Sequence, residues 1–132
     1  MDRVRVLVVD DEEIFRRAMT DVVAETEGFV VVGTAVSGVE SLAAAATTQP
    51  DLVLMDVNLP GIDGIEATRR LRSSGERPIV LLLSTYDESD VDYASAGAAG
   101  YITKAAFGPD RLAEAWAAAN HHPGSGEDRE TP

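Results

Sequence analysis

Short, nearly unbroken apolar runs alternate along the chain with stretches whose apolar residues recur at helical spacing. Val4–Val9 (VRVLVV) reads as a buried strand that ends on the acidic run Asp10, Asp11, Glu12, Glu13. Ile14, Phe15, Ala18, Met19, Val22 and Val23 follow at i, i+1, i+4, i+5, i+8 and i+9, which predicts one apolar stripe on a helix. Gly28 stops that helix, and residues 29–32 form a second run rich in valine. Ser37 and Gly38 open an alanine-rich helix to about residue 47, with Val39, Leu42, Ala43 and Ala46 expected on its inward face. Pro50 and Asp51 break it, and residues 52–55 are a third strand ending on Asp56. Asn58, Pro60, Gly61, Asp63 and Gly64 make a turn-rich loop before a helix over 65–72 that turns Ile65, Thr68 and Leu71 inward. Pro78 introduces a fourth strand, 79–83, with no polar position, so both of its faces should be covered. A further helix is expected near 88–96, and a fifth strand over 101–103 ends on Lys104. Gly108-Pro109-Asp110 begins the last helix, with proline in its first turn. From about His121 the chain is polar and aperiodic, as a linker or tail would be.

The order is (βα) five times. Apolar strands joined by helices imply a parallel sheet wrapped on both faces, a doubly wound α/β fold. In such a sheet the functional edge lies at the carboxyl ends of the strands. The predicted strand ends bring Asp10 and Asp11, Asp56, Ser84 with Thr85 beside it, and Lys104 to that edge. Lys104 is the only lysine, beside ten arginines.

Composition narrows the chemistry. Residues 1–120 fit one domain, and 121–132 fit a tail or the start of a linker. A net charge of −12 argues against nucleic-acid binding by this chain, which would need clustered cations. The absence of cysteine excludes disulfides, thiolate metal sites and thiol catalysis. No apolar run is long enough to span a bilayer and the start does not read as a secretion signal, so a cytoplasmic location with no membrane contact is expected. Three converging carboxylates repel one another unless a cation joins them. Oxygen ligands alone favour Mg²⁺, or Mn²⁺, over zinc. A carboxylate in that setting can attack a phosphoryl group, while a hydroxyl and an ammonium bind the other phosphoryl oxygens.

The motifs VLVVDDEE (6–13), PDLVLMDVNLPGIDGIEATRRLR (50–72), LLLST (81–85) and GAAGYITK (97–104) together resemble a two-component response regulator receiver domain. GFVVVGTAVSG (28–38) and GIEATRRLR (64–72) are most similar to receivers of the NarL/LuxR type. The resemblance implies a flavodoxin-like (βα)5 fold with strand order 2-1-3-4-5. It implies that Asp56 is the phosphoacceptor, with Asp10, Asp11 and Asp56 holding the metal with the Asn58 backbone carbonyl. Ser84 corresponds to the switch hydroxyl, Lys104 to the phosphate-binding lysine and Tyr101 to the aromatic switch; Asn58 and Tyr86 fall where dephosphorylation is tuned. The implied partners are a sensor histidine kinase and, on activation, a second copy of the chain. The implied output is transcription control through a DNA-binding domain not in this chain, which itself acts as a switch and not as an enzyme.

Three departures stand out. Ala105 replaces the usual proline after the lysine, the segment from Ser84 to Lys104 is short, and Thr85 competes with Ser84 for the hydroxyl role. A phosphorylation-independent interaction module on the same fold and a Mg²⁺-dependent phosphohydrolase remain alternatives. Asn58 and the lack of room for a cap domain speak against the hydrolase. Trp116 reads as part of a helix packing face, and His121 and His122 lack further ligands for a metal.

Overall fold

The period of two along each apolar strand divides the side chains of one sheet between two cores. Leu7, Val9, Val53, Met55, Val80, Leu82 and Tyr101 face one side, and Val6, Val8, Leu52, Leu54, Leu81, Leu83 and Ile102 the other. The computed structural model describes residues 3–73, 75, 77–85 and 92–120. Its elements are β1 (Val4–Val9), α1 (Glu13–Glu25), β2 (Phe29–Ala35), α2 (Gly38–Thr48), β3 (Leu52–Asp56), α3 (Gly64–Arg72), β4 (Ile79–Ser84), β5 (Gly100–Thr103) and α4 (Pro109–Asn120). The strands are all parallel, in the order β2-β1-β3-β4-β5. Ala45 of α2 with Ala67 and Leu71 of α3 cover the first face; Met19 and Val23 of α1 with Leu112 and Ala115 of α4 cover the second. This is the doubly wound, flavodoxin-like order expected from the sequence.

Several details depart from the expected pattern. β2 runs on to Ala35 because its register with β1 shifts by one residue between Val6 and Leu7, which lets Gly33 and Thr34 continue the pairing. In α1 the buried line is Met19, Val23 and Thr26, with Phe15 and Val22 half-buried, while Ile14 is 81% exposed. At 3.6 residues per turn Ile14 lies about 140° around the helix from Met19, outside the arc that meets the sheet.

The inward face of α2 is a correction. Gly38, Ser41 and Ala45 are buried and Leu42 is half-buried, whereas Val39, Ala43 and Ala46 are exposed. The helix is turned by about one residue because its first turn sits tightly against Ile62, so that a Cβ on Gly38 would come within 2.6 Å of that side chain. Ser41 can occupy the core because its hydroxyl donates to the Gly38 carbonyl at 2.6 Å.

Of the helix expected over 88–96, residues 88–91 fall outside the described residues, and the rest ends in a single 3₁₀ turn, Ala94–Ala96. Gly97, at φ 95°, closes that turn. A second 3₁₀ turn, Lys104–Ala106, follows β5. The tail from His121 onward is outside the described residues. Trp116 packs as expected, edge-on to Phe29 at 6.3 Å between ring centroids.

Side-chain caps start two of the helices. Ser37 accepts the Glu40 N–H at 3.0 Å, while Glu40 reaches back to the Val36 N–H at 2.7 Å; Asp63 accepts the Glu66 N–H at 2.9 Å. Ser37→Ala is expected to lower stability by about 1 kcal/mol. Urea unfolding followed through the single tryptophan measures it, and an unchanged midpoint would mean that the cap contributes nothing.

Candidate functional site

Parallel strands all leave the sheet at the same edge, so their C-terminal residues gather there without any further device. Val9 of β1 pairs with Met55 of β3, which brings the following residues, Asp10 and Asp56, side by side. Asp56 in turn pairs with Leu83, so Ser84 comes next along the edge, and Ser84 pairs with Thr103, the residue before Lys104. Asp10 is fully buried, Asp56 is 3% exposed and Asp11 faces solvent. Carboxylate oxygens of all three lie within 4.8 Å of one another.

Local hydrogen bonds orient the two buried acids. Asp10 accepts the Glu12 N–H at 2.9 Å, and Asp56 accepts the Asn58 N–H at 3.3 Å, each an acid folding back on the backbone two residues ahead. Arg16, in the first turns of α1, donates to the Asp10 carbonyl at 2.9 Å. Below Asp56 the chain turns sharply: Val57 N–H bonds to Leu83 O at 2.9 Å and Gly64 N–H to Val57 O at 2.8 Å. Gly64 is needed there because a Cβ would collide with the Asp56 carbonyl.

The Lys104 ammonium lies 2.8 Å from Asp10 Oδ2 and 3.5 Å from Asp56 Oδ1, with its side chain 8% exposed. It also sits over the ring of Phe15, 4.1 Å from the centroid. The Asp56 carboxyl is pushed up to about 6, chiefly by burial and next by the Asp10 charge, against the pull of Lys104 and the Asn58 N–H. Burial works against the charge on Lys104, but Asp10 and Asp56 outweigh it and raise its pKa above the ordinary lysine value. Three carboxylates against one ammonium leave an excess of negative charge in a largely buried place. An all-oxygen donor set of that charge fits a divalent cation of the Mg²⁺ type.

Ser84 is fully buried at the end of β4, whereas Thr85 is exposed. Tyr101 is buried on β5 and packs against Tyr93, with ring centroids 6.0 Å apart and planes tilted by 35°. Asn58 is exposed directly beyond Asp56, and Tyr86 lies outside the described residues. The structure brings Asp10, Asp11, Asp56 and Lys104 together at the edge where the sequence pattern expected them, and Phe15 and Arg16, which that pattern did not single out, lie against them. Their one signal was position, since the first turns of a helix that begins at a strand end must lie against that edge. A groove of about 790 Å³ between α2 and α3, lined among others by Leu42, Gln49, Asp51, Arg70 and Arg77, opens at the opposite edge of the sheet and is no part of this site.

A family model for the response regulator receiver domain matches residues 6–117. The chain belongs to that family. Among curated relatives of this receiver, response regulator GacA of Pseudomonas viridiflava is 47% identical over 105 residues, covering 78% of this chain and 49% of its own length. The nitrate/nitrite response regulator protein homolog of Haemophilus influenzae is 34% identical over 115 residues, 86% of this chain and 55% of its own. The receiver thus spans about half the length of these relatives. The signal receiver domain of NarL from Mycobacterium tuberculosis superposes with a TM-score of 0.83 at 31% identity, over 92% of this receiver and all of that chain. A LuxR-family two-component response regulator from Aurantimonas superposes at 0.77 with 32% identity, over 86% of this chain and 81% of that one. Among the described residues of the receiver, no helix is long and apolar enough to cross a membrane.

Proposed function

We propose that this receiver accepts a phosphoryl group on Asp56 from a phosphohistidine of a sensor histidine kinase. The observation that carries the reading is the buried Asp10–Asp56 pair with one ammonium on both and a third acid at the rim. Asp56 attacks phosphorus through a carboxylate oxygen; the new O–P bond forms as the P–N bond to the donor imidazole breaks, and the electron pair leaves with that nitrogen. Lys104, whose ammonium lies 3.5 Å from Asp56 Oδ1, stabilises the charge that gathers on the incoming group. Asp10, Asp11, Asp56 and the Asn58 carbonyl would hold Mg²⁺ or Mn²⁺. When bound, the ion offsets the repulsion between the acids and the phosphoryl oxygens.

Ser84 is the switch hydroxyl in this reading. Its burial at the strand end supports it over the exposed Thr85. Tyr101, in contact with Tyr93, couples the edge to the segment before β5 and biases an equilibrium between inactive and active arrangements. Asn58 and Tyr86 tune dephosphorylation. The unit is residues 1–120, with 121–132 opening a linker, and it works in the cytoplasm. The active form pairs with a second copy and controls transcription through a DNA-binding domain outside these 132 residues.

Intact mass after incubation with acetyl phosphate tests the central step. The expected result is a gain of one phosphoryl group with Mg²⁺, none after chelation, and none in Asp56→Asn. A gain of the same size and rate in Asp56→Asn would sink the assignment.

A further inference from the structure

The Lys104 ammonium meets two carboxylates and also an aromatic face. Its stem leaves a 3₁₀ turn in which Ala105 and Ala106 are exposed, and the turn is closed by a Phe107 N–H to Lys104 O bond of 3.3 Å. Little in the turn itself fixes the direction of a four-carbon side chain with a freely rotating, strongly hydrated head. Phe15, half-buried on α1, places its ring under the ammonium, with the ring centroid 4.1 Å from Nζ. A ring face attracts a cation that burial has stripped of water, and an aliphatic side chain of the same bulk does not. The contact joins the first turns of α1 to the end of β5, elements that supply opposite sides of the site.

We propose that Phe15 is a positioning residue of this site: the face of its ring holds the Lys104 ammonium over the Asp10–Asp56 pair. Its functional consequence rests on the reading of Asp56 as the acceptor; the contact itself does not. With the ring in place the ammonium is already where charge gathers as the Asp56–phosphorus bond forms and the bond to the leaving acetate of acetyl phosphate breaks. Without it the head group samples water on the α1 side and reaches that position only part of the time.

Because Lys104 is the only lysine, lysine-selective isotope labelling gives one set of side-chain NMR signals. In the wild-type chain the terminal methylene protons should be shifted upfield by the ring current. Phe15→Leu should return them to ordinary positions and slow labelling by acetyl phosphate in Mg²⁺ by about three- to tenfold. Phe15→Tyr, which keeps a ring face, should preserve both properties. The proposal is overturned by lysine signals that are unshifted in the wild type or unmoved by Phe15→Leu. It is overturned equally by a labelling rate in Phe15→Leu within twofold of wild type, or by failure of Phe15→Tyr to behave like wild type. A wild-type chain that takes no phosphoryl group overturns the acceptor reading instead, and the lysine signals then still decide whether Phe15 positions the ammonium.

Discussion

At neutral pH with divalent cations chelated, Asp56→Asn is expected to be more stable than the wild-type chain by on the order of 1–3 kcal/mol, although it lacks the proposed acceptor. The Asp56 carboxyl is pushed up from 3.8 to about 6, first by burial and then by the charge of Asp10. The folded state therefore binds this proton more tightly than the unfolded state does. Below the unfolded value both states carry the proton and the favourable contribution is complete. As pH rises from about 4 to about 6 the unfolded chain releases the proton first, so stability falls; above about 6 the loss is complete. Asparagine has no proton to lose there and no charge to set against Asp10.

Urea unfolding through the fluorescence of Trp116, at about pH 5 and about pH 7.5 in chelator, measures both arms. The wild-type chain should lose stability between the two conditions by more than Asp56→Asn does. Mg²⁺ should then narrow the gap, since an ion bound to the acids stabilises only the chain that retains them all. An Asp56→Asn chain no more stable than wild type at the higher pH, in chelator, would show that Lys104 and the Asn58 N–H already neutralise the cost.

Gly64→Ala is expected to lower stability by about 2–4 kcal/mol and to impair the site with it. The added Cβ would collide with the Asp56 carbonyl oxygen and come within 2.8 Å of the Val57 Cα, both backbone atoms that no side-chain rotation can clear. Either α3 moves away from the strand end or the Asp56–Asn58 turn opens. Both responses disturb the Gly64 N–H to Val57 O bond and the N–H that Asn58 offers to Asp56. Gly108→Ala is the matching control. A Cβ there meets nothing within 4 Å, so its effect should stay within about 1 kcal/mol. Equal urea midpoints for the two variants would mean that the close approach at Gly64 relaxes freely.

The strand ends were legible for a simple reason. An apolar run that stops on Asp10, on Asp56 or just before Lys104 marks its own end, and parallel strands must deliver those ends to one edge. The α2 face was not legible. Val39, Ala43 and Ala46 are apolar enough to face inward, yet the close contact of Gly38 with Ile62 turns the helix away from them. Ile14 is another such case, an apolar residue in a helical stripe that ends beyond the reach of the sheet.

The one-dimensional pattern was sufficient for five parallel strands, for the helices after β1, β2, β3 and β5, and for the gathering of Asp10, Asp11, Asp56 and Lys104, because each depends on where an element begins or ends. Packing was needed to decide that Ser84 and not Thr85 is buried, that Lys104 touches Asp10 more closely than Asp56, that Phe15 meets the Lys104 ammonium and that Arg16 bonds to the Asp10 carbonyl. Apart from the Arg16 bond to Asp10, six residues away, those contacts join segments far apart along the chain. Their distances depend on how two cores fill on either side of the sheet, and local spacing carries no record of that filling.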